Sequence, residues 1–278
     1  MNQPLPRAIA ALDEILPGYD AVLCDVWGVV HDGVAKFAAA EAALTRARTA
    51  GRKVVLVTNS PRRADSVAAF LDEIGVGRAA YDRIVTSGDV TRALIAAAPR
   101  RILHIGIEAH RGLFAGLDIE RVDEDRAETI VVTGLAHGDD DTPQAYAALL
   151  QRLAARGLPM ICANPDIVAP KGDRMVWSAG ALARDYAALG GTTRLAGKPF
   201  APIYDHALGL IGGIDRARIL AIGDGLGTDI AGANAYGLDA LLILAGIHAA
   251  TLGDTIDAVA ASLAAEGRTV RFVMQQLR

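Results

Sequence analysis

The chain has few of the residues that mark secreted, zinc-binding or nucleic-acid-binding proteins. Its two cysteines, Cys24 and Cys162, lie far apart in apolar runs, so we expect buried reduced thiols and a cytoplasmic protein. The six histidines show no HxH or HExxH spacing, which gives no basis for a dedicated zinc site. Aromatic residues are scarce, and mixed charges sum to −4 without a basic stripe. No nucleic-acid partner is therefore expected.

Long apolar segments are also missing. No window approaches about 18 uninterrupted apolar residues, so neither a membrane span nor a membrane partner is predicted. At 278 residues, the chain is long enough for one large core or for two packed units, and we favour two units.

Short apolar runs alternate with helical segments along the first part of the chain. Residues 21–24 and 53–58 are two such runs, and they are typical of central strands in a parallel sheet that is covered on both faces. The helical segments that follow them end at Gly51 and Gly75. This alternation predicts an α/β fold with a Rossmann-like, doubly wound parallel sheet.

The alternation starts again in the middle of the chain. Apolar strands separated by helical segments occur at 101–107, 129–135 and 158–163. We therefore predict that residues 87–192 form a second α/β unit inserted into a core made of residues 1–86 and 193–278. A leading helix is predicted within residues 1–20, and residues 240–244 are predicted to be the last clear strand.

Polar residues stand at the ends of several predicted strands. Asp25 follows one apolar run, Thr58 ends the next, and Asp224 ends a later run at 219–223. Open parallel sheets bind ligands at the carboxyl ends of their strands, so these side chains are expected at one edge. Carboxylates there suit Mg²⁺, which binds one or two carboxylates together with water and substrate phosphate.

Two further features favour phosphate chemistry at this edge. The segment Thr58-Asn59-Ser60 opens a predicted helix, whose free backbone N–H groups can bind an anion. Lys198 can neutralise a phosphate and the clustered carboxylates as a point charge. When the metal and Lys198 shield the negative charge of the phosphate and the carboxylates, Asp25 can attack phosphorus and form an aspartyl-phosphate.

These motifs resemble those of the haloacid dehalogenase (HAD) superfamily, in the class IIA branch similar to NagD and the pyridoxal-phosphate phosphatases. In order they are Asp25-Val26-Trp27-Gly28-Val29, Thr58-Asn59-Ser60, Gly197-Lys198-Pro199 and Gly223-Asp224 through Thr228-Asp229, with Ala163-Asn164-Pro165-Asp166 in the insert. The resemblance spans nearly the whole chain. It implies an HAD core with a C2-type cap and Mg²⁺-dependent hydrolysis of a small phosphate monoester, such as a sugar, nucleotide or cofactor phosphate.

The resemblance also implies a role for each motif residue. Asp25 is expected to be the nucleophile, and Lys198 to orient the carboxylates. The expected metal ligands are Asp25, the backbone carbonyl of Trp27, Asp224 and, in support, Asp229. The expected substrate-binding residues are Thr58, Asn59, Ser60, Asn164 and Asp166. A homodimer through the cap is a further expectation, because cap-to-cap dimers are common in similar proteins.

Trp27 departs from the family pattern. Phosphatases of this superfamily have a second aspartate two residues after the nucleophile, which protonates the leaving group and then activates water. General acid–base help contributes roughly 10²–10⁴-fold in rate, so a slow phosphatase is predicted unless another group substitutes. His31 and Asp32 are the nearest titratable candidates, and the alternative is that they form only a polar turn.

Two other functions fit part of this pattern. An aromatic residue two positions after the nucleophile also resembles the haloacid dehalogenases, in which the aspartate displaces halide from carbon without a metal. The pair Asp224 and Asp229 argues against that reaction, because their negative charge calls for a cation. The other alternative is a catalytically weak sensor that binds a phosphorylated metabolite, against which the retained Asp25 and Lys198 argue.

Overall fold

The computed structural model describes residues 5–138, 140–171, 174–246 and 255–278. Its strands are β1 (Arg7–Ala8), β2 (Ala21–Cys24), β3 (Lys53–Thr58), β4 (Arg83–Thr86), β5 (Arg101–Ile105), β6 (Glu120–Arg121), β7 (Thr129–Val132), β8 (Met160–Cys162), β9 (Val168–Lys171), β10 (Arg174–Trp177), β11 (Thr193–Leu195), β12 (Ile219–Gly223), β13 (Asp239–Ile243) and β14 (Phe272–Met274). Its α-helices are α1 (Ala38–Thr49), α2 (Ala64–Glu73), α3 (Ser87–Ala96), α4 (Ala147–Ala155), α5 (Ala179–Ala188), α6 (Ala201–Ile211), α7 (Ala231–Tyr236) and α8 (Ile256–Ala265). Among these described helices, none combines the length and the hydropathy that crossing a membrane requires.

The chain divides into two compact units. The first comprises the residues up to Thr58 together with Ala68–Val85 and Tyr204–Arg278, and the second comprises Asn59–Val67 and Thr86–Ile203. Residues 59–67, 86 and 193–203, which were predicted within the core, are therefore grouped with the second unit in this division.

The first unit is built on a seven-stranded sheet with the strand order β1-β14-β13-β12-β2-β3-β4. Parallel pairing joins β13 to β12, β12 to β2 and β2 to β3. Every residue of β2 and β12 is buried, because a central parallel strand is covered on both faces and is therefore apolar throughout. The predicted α/β, Rossmann-like fold is confirmed.

The second unit contains a five-stranded sheet with the order β11-β8-β7-β5-β6, in which all neighbours are parallel. Strands β9 and β10 form a separate antiparallel pair. Ile130 and Val132 of β7 pack in one apolar cluster with residues of α4 and α5, whereas Val131 packs in another with Ile95 of α3. This alternation follows the two-residue period of a strand and shows that both faces of the sheet are covered.

The predicted leading helix is wrong. Residues 1–4 lie outside the described residues, and Arg7–Ala8 pair in parallel with β14 as an edge strand. Residues 12–14 and 16–18 form two separate 3₁₀ turns instead of one helix. Leu12, Ile15 and Leu16 are buried. The helical spacing of apolar residues therefore indicated correctly which side chains are buried, but two short turns bury them without a continuous helix. The strand at 240–244 is also not the last one, since β14 follows it.

Candidate active site

Neighbouring strand ends carry the polar residues of the first unit. Strands β12, β2 and β3 are adjacent, and the backbone N–H of Asp25 continues the pairing of β2 by donating to the carbonyl of Ile222 at 2.8 Å. Asp25 follows β2, Thr58 ends β3, and Asp224 follows β12, and all three side chains are buried. The parallel register therefore brings these residues to one edge of the sheet, as predicted from the ends of the apolar runs.

Asp229 completes a cluster of carboxylates with Asp25 and Asp224. One ligand oxygen from each of the three side chains lies within 4.8 Å of the others, and all three residues are buried. The Asp229 Oδ2 accepts a hydrogen bond from the Gly225 backbone N–H at 3.2 Å. The Asp25 Oδ1 accepts one from the Val26 backbone N–H at 2.7 Å. These two bonds restrict the orientation of the Asp25 and Asp229 carboxylates.

The donor set of this cluster fits Mg²⁺. It consists of carboxylate oxygens in a buried setting, where like charges repel one another strongly. A divalent cation offsets that repulsion, and Mg²⁺ prefers a few carboxylate oxygens together with water and phosphate oxygens. Asp25, Asp224 and Asp229 are accordingly the residues that would hold the ion.

The backbone around Asp224 leaves no space for additional side-chain atoms. Gly28 has a φ of +82°, a conformation that favours glycine, and a Cβ placed there would lie 2.2 Å from the Asp224 Oδ2. A Cβ on Gly246 would lie 2.1 Å from the same oxygen. The two glycines therefore form a tight cradle that sets the position of this carboxylate.

Gly28→Ala is expected to weaken Mg²⁺ binding by about tenfold or more, because the methyl group displaces the Asp224 carboxylate and strains the turn. Isothermal titration of the folded variant with MgCl₂ measures this loss. Gly18→Ala is the matched control, since a Cβ there would meet no atom within 4 Å. Equal Mg²⁺ affinity in the two variants would show that Gly28 does not set the position of the Asp224 carboxylate.

His31 organises the turn that follows the Asp25 strand. Its carbonyl accepts a hydrogen bond from the Gly28 N–H at 2.7 Å, and its Nδ1 accepts one from the Gly33 N–H at 2.8 Å. Burial lowers the pKa of His31, so the ring is neutral near pH 7. Because Nδ1 is an acceptor, the single ring proton is on Nε2. His31 is thus a neutral structural element of the turn.

Asp32 is an acceptor in the same turn. Its Oδ1 accepts hydrogen bonds from the N–H groups of Ala35 at 2.7 Å and Val34 at 2.8 Å, and these bonds, that from Ala35 first, lower the pKa of the carboxyl. It is therefore ionised at neutral pH and has no proton to donate. Trp27 is half-buried and pairs with His31 in an isolated bridge. The geometry favours the polar-turn alternative for Asp32.

Asn59 connects the predicted site residues of the second unit. Its Oδ1 accepts a hydrogen bond from the Lys198 N–H at 2.7 Å, while its Nδ2 donates to the Asp166 Oδ1 at 2.8 Å and to the Lys198 carbonyl at 3.2 Å. Asn164 extends this network, because its Oδ1 accepts a bond from the Asp166 N–H at 2.9 Å. Both amide hydrogens of Asn59 are engaged, so its side chain positions Lys198 and Asp166.

Ser87 belongs to the same network but was not predicted from the sequence. Its fully buried hydroxyl lies 2.8 Å from the carbonyl of Asn59 and 3.0 Å from that of Ser60, and it also contacts the carbonyl of Ala163. A serine directly after the capping Thr86 looks like an ordinary helix start, and this local role conceals the long-range contacts. Ser87 therefore fixes the segment that was predicted to bind phosphate.

Comparisons with known proteins assign this architecture to a family. A model of haloacid dehalogenase-like hydrolases matches residues 22–120, and an HAD-hydrolase-like model matches residues 195–265. A D-glycerol 3-phosphate phosphatase of Mycobacterium tuberculosis is 33% identical over 245 residues, which cover 86% of this chain and 67% of that protein.

Solved structures give the same result. A haloacid dehalogenase-like hydrolase from Brucella suis is 48% identical, with a TM-score of 0.87 and coverage of 97% of this chain and 100% of its own. The glycerol phosphate phosphatase of Mycobacterium tuberculosis in complex with magnesium is 32% identical, with a TM-score of 0.66 and coverage of 84% and 70%. The predicted Mg²⁺ cofactor is confirmed by this magnesium complex together with the carboxylate cluster.

Proposed function

Because the chain belongs to the haloacid dehalogenase-like hydrolase family, we propose that it hydrolyses small phosphate monoesters through a phosphoryl group carried on Asp25. The predicted phosphohydrolase class is confirmed by the phosphatases among its relatives. The observation that carries the mechanism is the convergence of oxygens from Asp25, Asp224 and Asp229 within 4.8 Å. Such a cluster suits a metal-assisted reaction on a phosphate dianion.

In the proposed reaction, the Asp25 carboxylate attacks phosphorus. The bond from Asp25 oxygen to phosphorus forms as the bond from phosphorus to the leaving oxygen breaks, and the leaving alkoxide takes a proton from solvent. Water then attacks the phosphorus of the aspartyl-phosphate, releases inorganic phosphate and regenerates the Asp25 carboxylate. Mg²⁺, when bound, supplies neutralisation of the negative charge on the phosphoryl group.

The remaining predicted residues receive supporting roles in this proposal. We assign phosphate binding to the Thr58 hydroxyl and to the backbone N–H groups at Asn59 and Ser60. The resemblance assigns Lys198 the neutralisation of phosphate charge, and the buried Asn59 amide supports this role by holding the Lys198 backbone on both sides. Asn164 and Asp166 are proposed to contribute to substrate binding within residues 87–192, the proposed C2-type cap.

Metal removal tests the proposed function. Hydrolysis of p-nitrophenyl phosphate and of a panel of metabolite phosphates is expected to require Mg²⁺, to cease in EDTA and to return when Mg²⁺ is restored. Equal turnover in EDTA would contradict the metal assignment. Halide release from haloacids would favour the dehalogenase alternative. Binding of Mg²⁺ and orthovanadate without any turnover would favour the sensor.

A homodimer through the second unit is part of the proposal. Large apolar side chains are exposed on this unit at Met175, Trp177 and Leu189, and burial of such side chains favours association. Light scattering of the purified protein tests this point, and a monomeric mass at micromolar concentration would rule the dimer out.

A cytoplasmic location is also proposed. Cys24 and Cys162 are both buried and form no disulfide, and burial raises the pKa of Cys162 to about 12, so this thiol stays protonated. Free thiols that form no disulfide are typical of a reducing compartment. Recovery of the native protein in a secreted or periplasmic fraction would contradict the assignment.

A further inference from the structure

Asp229 is placed by the turn that carries it and not by the end of a strand. Asp224 follows β12 directly, whereas Asp229 lies in Leu226–Ile230, a single turn of π-helix before α7. The Ile230 N–H closes this turn by donating to the Gly225 carbonyl at 3.1 Å. A π-helical turn is rare and often occurs at a functional site. The register of the sheet does not fix this third carboxylate directly, so its position depends on contacts that the turn makes.

The Thr228 hydroxyl contacts the carboxylate of Asp229. The Thr228 Oγ1 lies 3.1 Å from the Asp229 Oδ2, and the Gly225 N–H donates to the same oxygen at 3.2 Å. The hydroxyl is the donor, because an ionised carboxylate only accepts. Two donors from neighbouring positions thus restrict the orientation of this carboxylate. Thr228 is part of the last motif in the chain, yet it has no role in the proposed hydrolysis.

Two glycines leave the space that this arrangement needs. A Cβ on Gly225 would lie 2.0 Å from the Thr228 Oγ1, and a Cβ on Gly223 would lie 2.2 Å from the Asp229 Cγ. Gly225 has a φ of −91° and a ψ of 114°, a conformation open to any residue, so the requirement for glycine there is steric. The Thr228 hydroxyl and the Asp229 carboxylate therefore pack against backbone that has no side chain.

Tyr204 of α6 contacts the backbone of the same aspartate. Its side chain is buried, and its hydroxyl donates to the Asp229 carbonyl at 3.3 Å. A Cβ on Gly232 would lie 2.2 Å from the Tyr204 hydroxyl oxygen, and the Tyr204 ring stacks on Tyr236 with the ring centroids 5.0 Å apart. Gly232 and Tyr236 both belong to α7. These contacts hold the ring against α7, so its hydroxyl ties α6 to the turn that carries Asp229.

We propose that Thr228 and Tyr204 are positioning residues for the metal ligand Asp229 and that they set the preference of the site for Mg²⁺ over Ca²⁺. This inference rests on the proposed function, in which Asp229 helps to hold the ion. Thr228 acts on the carboxylate, and Tyr204 acts on the backbone. Mg²⁺ requires nearly ideal octahedral coordination, whereas Ca²⁺ accepts longer and less regular coordination. A carboxylate that can rotate or shift therefore weakens the binding of Mg²⁺ more than that of Ca²⁺.

Thr228→Val tests the contact with the carboxylate, because it removes the hydroxyl and retains the shape of the side chain. In isothermal titrations of the metal-free full chain, the Kd for MgCl₂ is expected to rise about tenfold and that for CaCl₂ by less than about threefold. Thr228→Ser retains the hydroxyl and is expected to retain the wild-type values. Thr49→Val is the matched control, since the Thr49 hydroxyl donates to the Thr45 carbonyl at 2.9 Å within α1.

Tyr204→Phe tests the contact with the backbone in the same titrations. It removes only the hydroxyl, and the Kd for MgCl₂ is expected to rise about threefold or more, again with a smaller change for CaCl₂. Tyr236→Phe is the matched control, because it removes a hydroxyl from the stacked partner ring. That hydroxyl donates to the Asp205 Oδ1 at 2.6 Å, and its loss is expected to leave both Kd values unchanged.

The titrations separate this inference from the proposed hydrolysis, because they need no substrate. A wild type that binds Mg²⁺ but hydrolyses no phosphate ester removes the proposed function, and the Kd values then decide the inference alone. A purely structural role of either residue would lower the melting temperature in EDTA and leave the ratio of the two Kd values unchanged. An unchanged ratio in Thr228→Val or in Tyr204→Phe would overturn the role of that residue. A wild type that binds no Mg²⁺ would overturn both the metal assignment and this inference.

Discussion

Asp25→Asn is expected to abolish hydrolysis of p-nitrophenyl phosphate, with kcat reduced by a factor on the order of 10⁴ or more. The amide has no negative charge and is too weak a nucleophile to attack phosphorus. The substitution also removes one carboxylate from the cluster of three, so we expect Mg²⁺ to bind more weakly. The Asn oxygen can still accept the hydrogen bond that the Val26 N–H donates to Asp25, so the fold is expected to survive. Steady-state kinetics measure the loss of turnover, and circular dichroism shows whether the fold is retained.

Asp32→Asn provides the matched control for that variant. It makes the same chemical change seven positions later, in a turn where the amide oxygen can still accept from the N–H groups of Val34 and Ala35. We expect nearly wild-type turnover from it. If Asp25→Asn retains activity within tenfold of the wild type, or if both variants lose activity equally, the covalent mechanism is wrong.

The second large effect is expected at Trp27. Without a protonated carboxyl group in this turn, the departing oxygen leaves as an anion, so aryl phosphates with acidic leaving groups should react much faster than alkyl phosphates. Trp27→Asp is expected to raise kcat/KM for alkyl phosphates by roughly 10²-fold or more by supplying the acid, and to change the aryl rate far less. A series of phosphate esters with graded leaving-group acidity measures this dependence.

Trp27→Asn separates the acid from the loss of volume. Trp27 is half-buried, and its removal leaves a cavity that costs stability in either variant. Asn matches Asp in size but cannot donate a carboxylic proton, so it should lower stability without restoring the alkyl rates. A wild-type enzyme with equal rates across the series would show that another group already serves as the acid.

The central part of the fold and the carboxylate cluster could be predicted from the sequence because each depends on a local pattern. A buried parallel strand is an apolar run, and its register places the next residue at the sheet edge, which accounts for Asp25 after β2 and Asp224 after β12. The short strand Arg7–Ala8 has no such run. It forms only because β14 provides a parallel partner, a condition that no local window contains.

The polar network of the second unit was predictable only in part for the same reason. Asn59 and Lys198 stand out as motif residues, yet the bond between them spans 139 positions and gives the Asn59 side chain a positioning role that its motif does not indicate. Ser87 belongs to no motif. Its contacts with the carbonyls of Asn59, Ser60 and Ala163 arise from the packing of α3, which is a product of tertiary structure.

The pairing of β2 with β12 has a consequence for the newly made chain. These strands are neighbours in the sheet, yet the ribosome synthesises the whole second unit between them. Until β12 emerges, the strand that leads to Asp25 can pair only with β3, and its other edge exposes free backbone groups that can join a second nascent chain. Such non-local pairing slows folding. The strand that leads to Asp25 is therefore made early, and its second edge stays unpaired until β12 has been synthesised.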